Sequence, residues 1–190
     1  MKNVTQAWSL SLLLLTVLSG CVPIVATGVG VGVGVLEDRR TSGAFVEDQG
    51  IELKIEKRIN EKLHDNVHIN VTSYNRNVLL TGETPTEAMK KDVERLAISV
   101  ENVRNITNEI AVAGISSFTS RSNDTLITSK VKGRFLDAGK FQINHVKVVT
   151  ENGAVYLLGL VKHKEADDAV EIARSTGGVS KVVKVFEYLD

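Results

Sequence analysis

The amino-acid sequence predicts an α+β protein of two tandem αββαβ modules, each a three-stranded mixed sheet with two helices on one face, behind an N-terminal signal peptide. The first observation is an internal repeat, because apolar patterns recur at an offset of about 76 residues, as from Ile51 to Ile127. The second is that each copy changes from helical to alternating apolar spacing and back. The third is Asn152-Gly153 between two alternating runs, which is typical of a tight hairpin. A sheet covered by two helices is the simplest way to bury these stripes.

The amino terminus has the order of a secretory signal. Lys2 is a short positive segment, and the apolar run from Ala7 to Leu18 is too short to be a spanning helix. The following Leu18-Ser19-Gly20-Cys21 resembles the lipobox of bacterial lipoproteins, whose cysteine thiol accepts a diacylglycerol. We therefore predict a signal peptide over residues 1–20 and lipidation of Cys21. An ordinary signal with an incidental cysteine is the alternative.

Residues 21–45 are predicted to form a lipidated, Gly-rich tether. The apolar part, Val22 to Leu36, is shorter than the roughly 20 residues that a membrane span needs. The alternative is a segment that lies among lipid headgroups or packs on a neighbour through its glycines. In the lipoprotein family, Asp after the cysteine favours retention in the inner membrane, so Val22 implies passage to the outer membrane.

The first module is predicted over residues 46–114. Its first helix carries Ile51, Ile55 and Ile59 at helical spacing, and two alternating strands follow. Thr84-Pro85-Thr86-Glu87 reads as a capping box with proline at the first helical position, so a second helix is predicted to start there. A last strand completes the module.

A stretch rich in Ser, Thr and Gly predicts a linker over residues 115–123, and the second module then covers residues 124–190. Its first helix carries Ile127, Val131 and Phe135 on one face. Gly177-Gly178 is predicted to end its second helix. In both modules a glycine, Gly82 or Gly159, is predicted to end the second strand at a sharp turn.

Several stretches of the second copy resemble a known family: Ser122–Thr125, Asn144–Val148, Thr150–Gly153 and Gly159–Val161. They are similar to BON domains, the small αββαβ modules of bacterial envelope proteins. With the lipobox, the whole chain resembles the dual-BON outer-membrane lipoproteins of Gram-negative bacteria. The resemblance implies a lipid-anchored protein of the outer membrane that faces the periplasm and supports membrane integrity, with a place at the division site.

Composition excludes several classes of function. The 23 basic residues balance the 23 acidic ones, and aromatic residues make up only 5%, so we expect no nucleic-acid partner. The single cysteine excludes an internal disulfide and a thiolate metal cluster. We expect no cofactor and a monomeric protein.

No catalytic constellation is recognisable. A nucleophile needs an activating base, and the only thiol is assigned to lipidation. His64 and His68 have the spacing of metal ligands on one helix face. The helix is predicted to end near Leu63, however, which favours solvated histidines at a turn and a strand edge. We therefore expect neither an enzyme nor a metal site.

The first helix of the second module is the candidate ligand site. Leu126, Lys130 and Arg134 form a stripe about 100° from the core face and should be exposed. Residues 125–136 carry three cations and no acid, whereas the matching helix of the first module has mixed charge. An exposed apolar residue beside cations suits an anionic membrane, where each cation contributes about 1 kcal/mol. A solvated helix face with an incidental leucine is the alternative. The candidate lipid-binding residues are Leu126, Lys130, Lys132, Gly133 and Arg134.

The resemblance points to the same helix. In the dual-BON lipoproteins it is the part that meets anionic phospholipid such as phosphatidylglycerol, and those relatives carry tryptophan at the position of Leu126. A second hypothesis is a periplasmic adaptor that docks to the outer-membrane β-barrel assembly machinery or to division proteins.

Overall fold

The computed structural model describes residues 38–64 and 67–190. Within them it contains four α-helices and two mixed sheets, which confirms the predicted α+β fold of two αββαβ modules. The predicted signal peptide, the lipidation site Cys21 and residues 22–37 of the predicted tether lie outside the described residues. Among the described helices, none has the length and apolar character that crossing a membrane requires.

The first module is built around a central strand, β2. Its elements in chain order are α1 (Ser42–Leu63), β1 (His68–Tyr74), β2 (Asn77–Thr84), α2 (Glu87–Ile98), β3 (Asn105–Asn108) and β4 (Ala111–Val112). β1 pairs with β2 in antiparallel orientation, and β3 and β4 both pair with β2 in parallel. The last strand is interrupted because Ile110 turns into the core between β3 and β4.

The second module repeats this arrangement with an unbroken last strand. Its elements are α3 (Phe118–Ala138), a 3-10 turn (Ile143–His145), β5 (Val146–Glu151), β6 (Ala154–Val161), α4 (His163–Arg174) and β7 (Lys181–Tyr188). β6 is central, antiparallel to β5 and parallel to β7 along its whole length.

Three helices begin with a side-chain cap that accepts a hydrogen bond from a backbone N–H three residues later. The caps are Thr41 for α1, Thr86 for α2 and Ser117 for α3. α1 and α3 thus begin inside the segments predicted as tether (21–45) and linker (115–123), because each segment contains a hydroxyl that caps a helix. The predicted start of α2 at Pro85 is wrong by two residues, since Thr86 provides the cap.

Gly82 and Gly159 lie inside β2 and β6, so the prediction that they end these strands at a turn is wrong. A Cβ on Gly82 would overlap the carbonyl oxygen of His68, and one on Gly159 would overlap that of His145. The backbone of β1, and of the turn before β5, therefore comes too close for any side chain at these positions.

Each sheet has one face covered by its own two helices, and the two sheets pack against each other through their remaining faces. The core between each sheet and its two helices is apolar. In the first module it includes Ile51, Ile55 and Val93. Between the sheets, a third apolar cluster joins the modules. It contains Tyr74 and Leu79 from the first module and Tyr156, Leu158 and Leu160 from the second, with Val183 and Val185 packed against them.

Candidate functional site

The helix α3 carries the predicted lipid-binding residues on a surface set by its buried face. Ile127, Val131 and Phe135 are buried in the core of the second module. They fix the rotation of the helix, so that Leu126 points outward with 60% of its surface exposed. Lys130 is exposed one turn further on, and among the described residues it has no ion-pair partner.

Arg134 is turned toward the neighbouring helix. Its guanidinium donates hydrogen bonds to the carbonyl oxygen of Ile172 at 3.2 Å and to Thr176 Oγ1 at 3.0 Å, at the C-terminal end of α4. The partial negative charge at this end favours a cation there. Arg134 therefore helps to hold α3 against α4.

Lys132 lies on the opposite flank of α3, about 160° around the axis from Arg134 at 3.6 residues per turn. It is exposed at the rim of a polar cavity that His68 and Glu151 also line. Gly133 is half-buried, and a Cβ added there would meet no atom outside its own helix backbone within 4 Å. The structure thus brings Leu126, Lys130 and Gly133 to one outward stripe and places Lys132 apart from it.

The matching face of α1 shows what is special about α3. At the offset of about 76 residues, Lys54 corresponds to Lys130, and Arg58 corresponds to Arg134. Arg58 also bonds across the module, donating to Ser99 Oγ at 2.6 Å. The position of Leu126 is occupied by Gly50 in α1. The exposed leucine of α1 is Leu53, and Lys57, one turn further on, pairs with Glu61.

Two buried aspartates position these helices, and the sequence-based predictions missed them. Asp124 of α3 accepts hydrogen bonds from the backbone N–H groups of Asn152 and Gly153, at 2.9 and 2.8 Å, in the β5–β6 turn. Asp48 of α1 does the same for the β1–β2 turn. Their matching places in the two copies are the signal that could have identified them.

Asp48 also anchors the segment that precedes α1. Arg40 donates to Asp48 at 2.9 Å and its guanidinium lies over the ring of Tyr74, 4.1 Å from the centroid. Arg39, one residue earlier, donates to Glu165 of the second module at 2.6 Å and to the carbonyl oxygen of Leu160 at 2.9 Å. Adjacent residues of this segment therefore bind different modules.

A polar cluster lies where the two sheets meet. It contains His68 and Glu83 from the first module and Glu151 from the second, with one donor atom of each within 4.8 Å of the others. Glu83 and Glu151 are buried, with 1% and 6% of their surface exposed. Burial raises the pKa of the Glu151 carboxyl, hydrogen bonding from Asn70 opposes this rise, and the Glu83 carboxylate adds to it.

His64 and His68 do not share a helix face. α1 ends at Leu63, so His64 lies at the helix end while His68 begins β1. His64 is exposed, as expected for a turn residue. His68 is half-buried instead of solvated, because the second sheet packs over its strand.

Comparisons with known proteins agree with this architecture. A family model described as "BON domain" matches residues 47–114 and 123–190. The chain is 38% identical over 175 residues to the outer membrane lipoprotein DolP of Haemophilus influenzae, covering 91% of each chain.

Two further relatives have other names. A 21 kDa hemolysin of Actinobacillus pleuropneumoniae is 36% identical over 80% of this chain and 79% of its own. The osmotically-inducible protein Y of Escherichia coli (strain K12) is 29% identical over 74% of this chain and 72% of its own. None of these three names denotes an enzyme.

Proposed function

Because the chain belongs to the BON-domain family, as an outer-membrane lipoprotein with two BON modules, we propose that it binds anionic phospholipid through α3. In this proposal the protein is a non-enzymatic membrane contact. It supports the integrity of the outer membrane from the periplasmic side, at the division site. Phosphatidylglycerol is the proposed headgroup.

The observation that carries this proposal is the exposed Leu126 beside Lys130, on a helix stretch without acidic residues. A leucine with 60% of its surface exposed can enter the boundary between headgroups and acyl chains. The Lys130 ammonium one turn away then lies at the depth of the phosphate groups. Arg134, held on α4, adds positive potential at the edge of the same surface.

Lipidation of Cys21 is part of the proposal. A contact of one leucine and one or two cations is weak on its own, because the cations contribute only about 1 kcal/mol each. An acylated Cys21 would hold α3 close to a bilayer and so raise the effective concentration of lipid around this weak contact site. Mass spectrometry of the mature protein tests this step. A free thiol on residue 21 would contradict it.

Vesicle co-sedimentation of a fragment that starts at Arg39 tests the lipid contact without the anchor. We expect binding to vesicles that contain phosphatidylglycerol and much weaker binding to neutral vesicles. Lys130→Glu should reduce the bound fraction severalfold, since it reverses the charge beside Leu126. The matched control is Lys54→Glu, at the corresponding position of α1, which should leave binding unchanged.

A tryptophan reporter locates the contact. The only tryptophan of the chain, Trp8, lies in the predicted signal peptide, so Leu126→Trp gives the mature protein a single indole. Its emission should shift to the blue with anionic vesicles. Leu53→Trp, at a similarly exposed position on α1, should not shift. Equal binding to neutral and anionic vesicles, or no effect of Lys130→Glu, would contradict the proposal.

The adaptor function is the second candidate, and one surface favours it. Ile98 at the end of α2 is more than half exposed in a shallow groove with Ala88 and Arg95. Crosslinking in cells followed by mass spectrometry distinguishes the two functions. A single dominant partner, such as the β-barrel assembly machinery or a division protein, that survives Lys130→Glu would favour the adaptor.

A further inference from the structure

Three side chains with metal-binding chemistry meet at the seam between the two modules. His68 and Glu83 face each other directly in the register of β1 and β2. Glu151, the last residue of β5, reaches the same point from the second module. One donor atom from each residue lies within 4.8 Å of the other two.

The cluster is short of positive charge. Glu83 accepts hydrogen bonds from Asn152 Nδ2 at 2.7 Å and from the backbone N–H of Ser116 at 3.3 Å, and Glu151 accepts one from Asn70 Nδ2 at 2.8 Å. All of these donors are neutral groups. Two carboxylates that are both buried repel each other, and neutral donors do not remove this repulsion.

The nitrogen Nε2 of His68 is shielded from solvent and has no hydrogen-bond partner among the described residues. A buried polar atom without a partner costs free energy. An unsatisfied imidazole nitrogen beside two carboxylates is the arrangement that a bound cation would complete.

We propose that His68, Glu83 and Glu151 form a binding site for a divalent transition-metal ion of the Zn²⁺ class, which joins the two modules. One imidazole nitrogen with two carboxylates is a donor set that suits Zn²⁺, whereas Ca²⁺ and Mg²⁺ take oxygen ligands. Because the ligands come from both modules, the bound ion would hold the two sheets together.

The geometry needs only a small adjustment. The centre of a triangle with sides of 4.8 Å is about 2.8 Å from each corner, and Zn²⁺ takes nitrogen and oxygen ligands at about 2.0–2.2 Å. Each donor atom must therefore move inward by about 0.7 Å, which small side-chain rotations provide. The separations are upper limits, so the true movement is smaller.

An entry path and a fourth ligand are both available from the neighbouring cavity. His68 and Glu151 line this open polar cavity, which also has Asp124, Arg121 and Lys132 on its walls. The lining carries charges of both signs. A water molecule in the cavity can complete a tetrahedral shell.

Zinc titration of the mature lipidated protein in detergent tests the site, with ZnCl₂ as the only added ion. We expect one equivalent of zinc to bind. Glu83→Gln, Glu151→Gln and His68→Gln should each weaken the zinc affinity at least about tenfold, because even the loss of a group that only hydrogen-bonds to a metal ligand has an effect of about this size. The controls are His64→Gln and His163→Gln, two exposed histidines, which should keep the wild-type affinity. Melting temperature should rise with zinc in the wild type and not in Glu151→Gln.

The wild-type protein alone can overturn the proposal, even if a variant fails to fold. X-ray absorption at the zinc edge should show one imidazole with oxygen neighbours. A spectrum without an imidazole nitrogen would place the ion elsewhere, and failure of the wild type to bind one equivalent would show that these three side chains do not hold a metal ion. Either result rejects the site. This experiment is independent of vesicle binding, so its failure leaves the lipid proposal untouched.

Discussion

At the scale of single residues, a close approach of neighbouring backbone requires glycine at two positions of the described chain, Gly82 and Gly159. Gly159 lies opposite Val146 in the β5–β6 ladder, and a methyl group there would overlap the carbonyl oxygen of His145. Gly82 has the same relation to β1 and also a φ of 108°. Backbone atoms cannot rotate away as side chains do, so the cost of a substitution falls on the strand pairing.

We expect Gly159→Ala to lower the free energy of unfolding by roughly 1–3 kcal/mol, because β5 must move to admit the methyl group. Chemical denaturation followed by circular dichroism measures the change. The matched control is Gly50→Ala in α1, where the added methyl meets no atom within 4 Å. That variant should gain up to about 1 kcal/mol from helix propensity. Equal effects of the two variants would contradict this explanation.

The residue scale also shows what sequence patterns missed. Apolar spacing identified the inward faces of α1 and α3 correctly, as Ile55 and Val131 show. It gave no sign of the cluster of His68, Glu83 and Glu151, because these residues are distant in sequence and meet only when two sheets pack. Charged residues on strands read as solvent-facing until a second sheet covers them.

At the scale of elements, the segment before α1 behaves as a strap between the modules. Arg39 binds Glu165 at the start of α4, while Arg40 binds Asp48 of α1. This segment was predicted as part of a tether, since its few residues show no periodicity. Its side-chain contacts hold it on the folded modules.

The Arg39–Glu165 pair predicts a dependence of stability on pH. The hydrogen bond from Arg39 holds the pKa of the Glu165 carboxyl below its usual range. A carboxyl whose pKa is lowered by folding stabilises the folded state above its unfolded pKa, and the contribution disappears as the pH falls through the folded value. Glu165→Gln should therefore lower the melting temperature at pH 7 and leave it nearly unchanged at pH 3.

Thermal melts of wild type and Glu165→Gln across this pH range measure the effect. Glu171→Gln, on the same helix with an exposed partner in Arg174, is the control and should change little at either pH. A constant difference between wild type and Glu165→Gln at all pH values would show that Glu165 acts by packing instead of charge.

At the scale of the whole molecule, the two faces of one strand have different tasks. Leu157 of β6 lies in the core beneath α3 and α4, and the next residue, Leu158, lies in the cluster between the sheets. The internal repeat predicted the two modules, but nothing in the sequence indicated that their sheets pack face to face. In the first module the covered face is largely polar, with Thr72, Thr81 and Glu83, and so it does not look like an interface.

Adjacent substitutions on β6 separate these tasks. Leu158→Lys should open the seam and increase the radius of gyration in small-angle X-ray scattering, while the circular dichroism of the folded modules persists. Leu157→Ala removes core packing and should cost about 2–5 kcal/mol of unfolding free energy without opening the seam. A compact Leu158→Lys protein would mean that the polar contacts of the seam hold the modules without the apolar cluster.

The strap at Arg39 and Arg40 also sets the mechanics of anchoring. A force on an acylated residue 21 would reach the folded protein at Arg39 and Arg40, which contact different modules, so that both modules would bear it. The intervening chain to Asp38 extends at most about 60 Å, at roughly 3.3–3.6 Å per residue. An acylated Cys21 would therefore keep the two modules within this distance of the bilayer that holds the lipid.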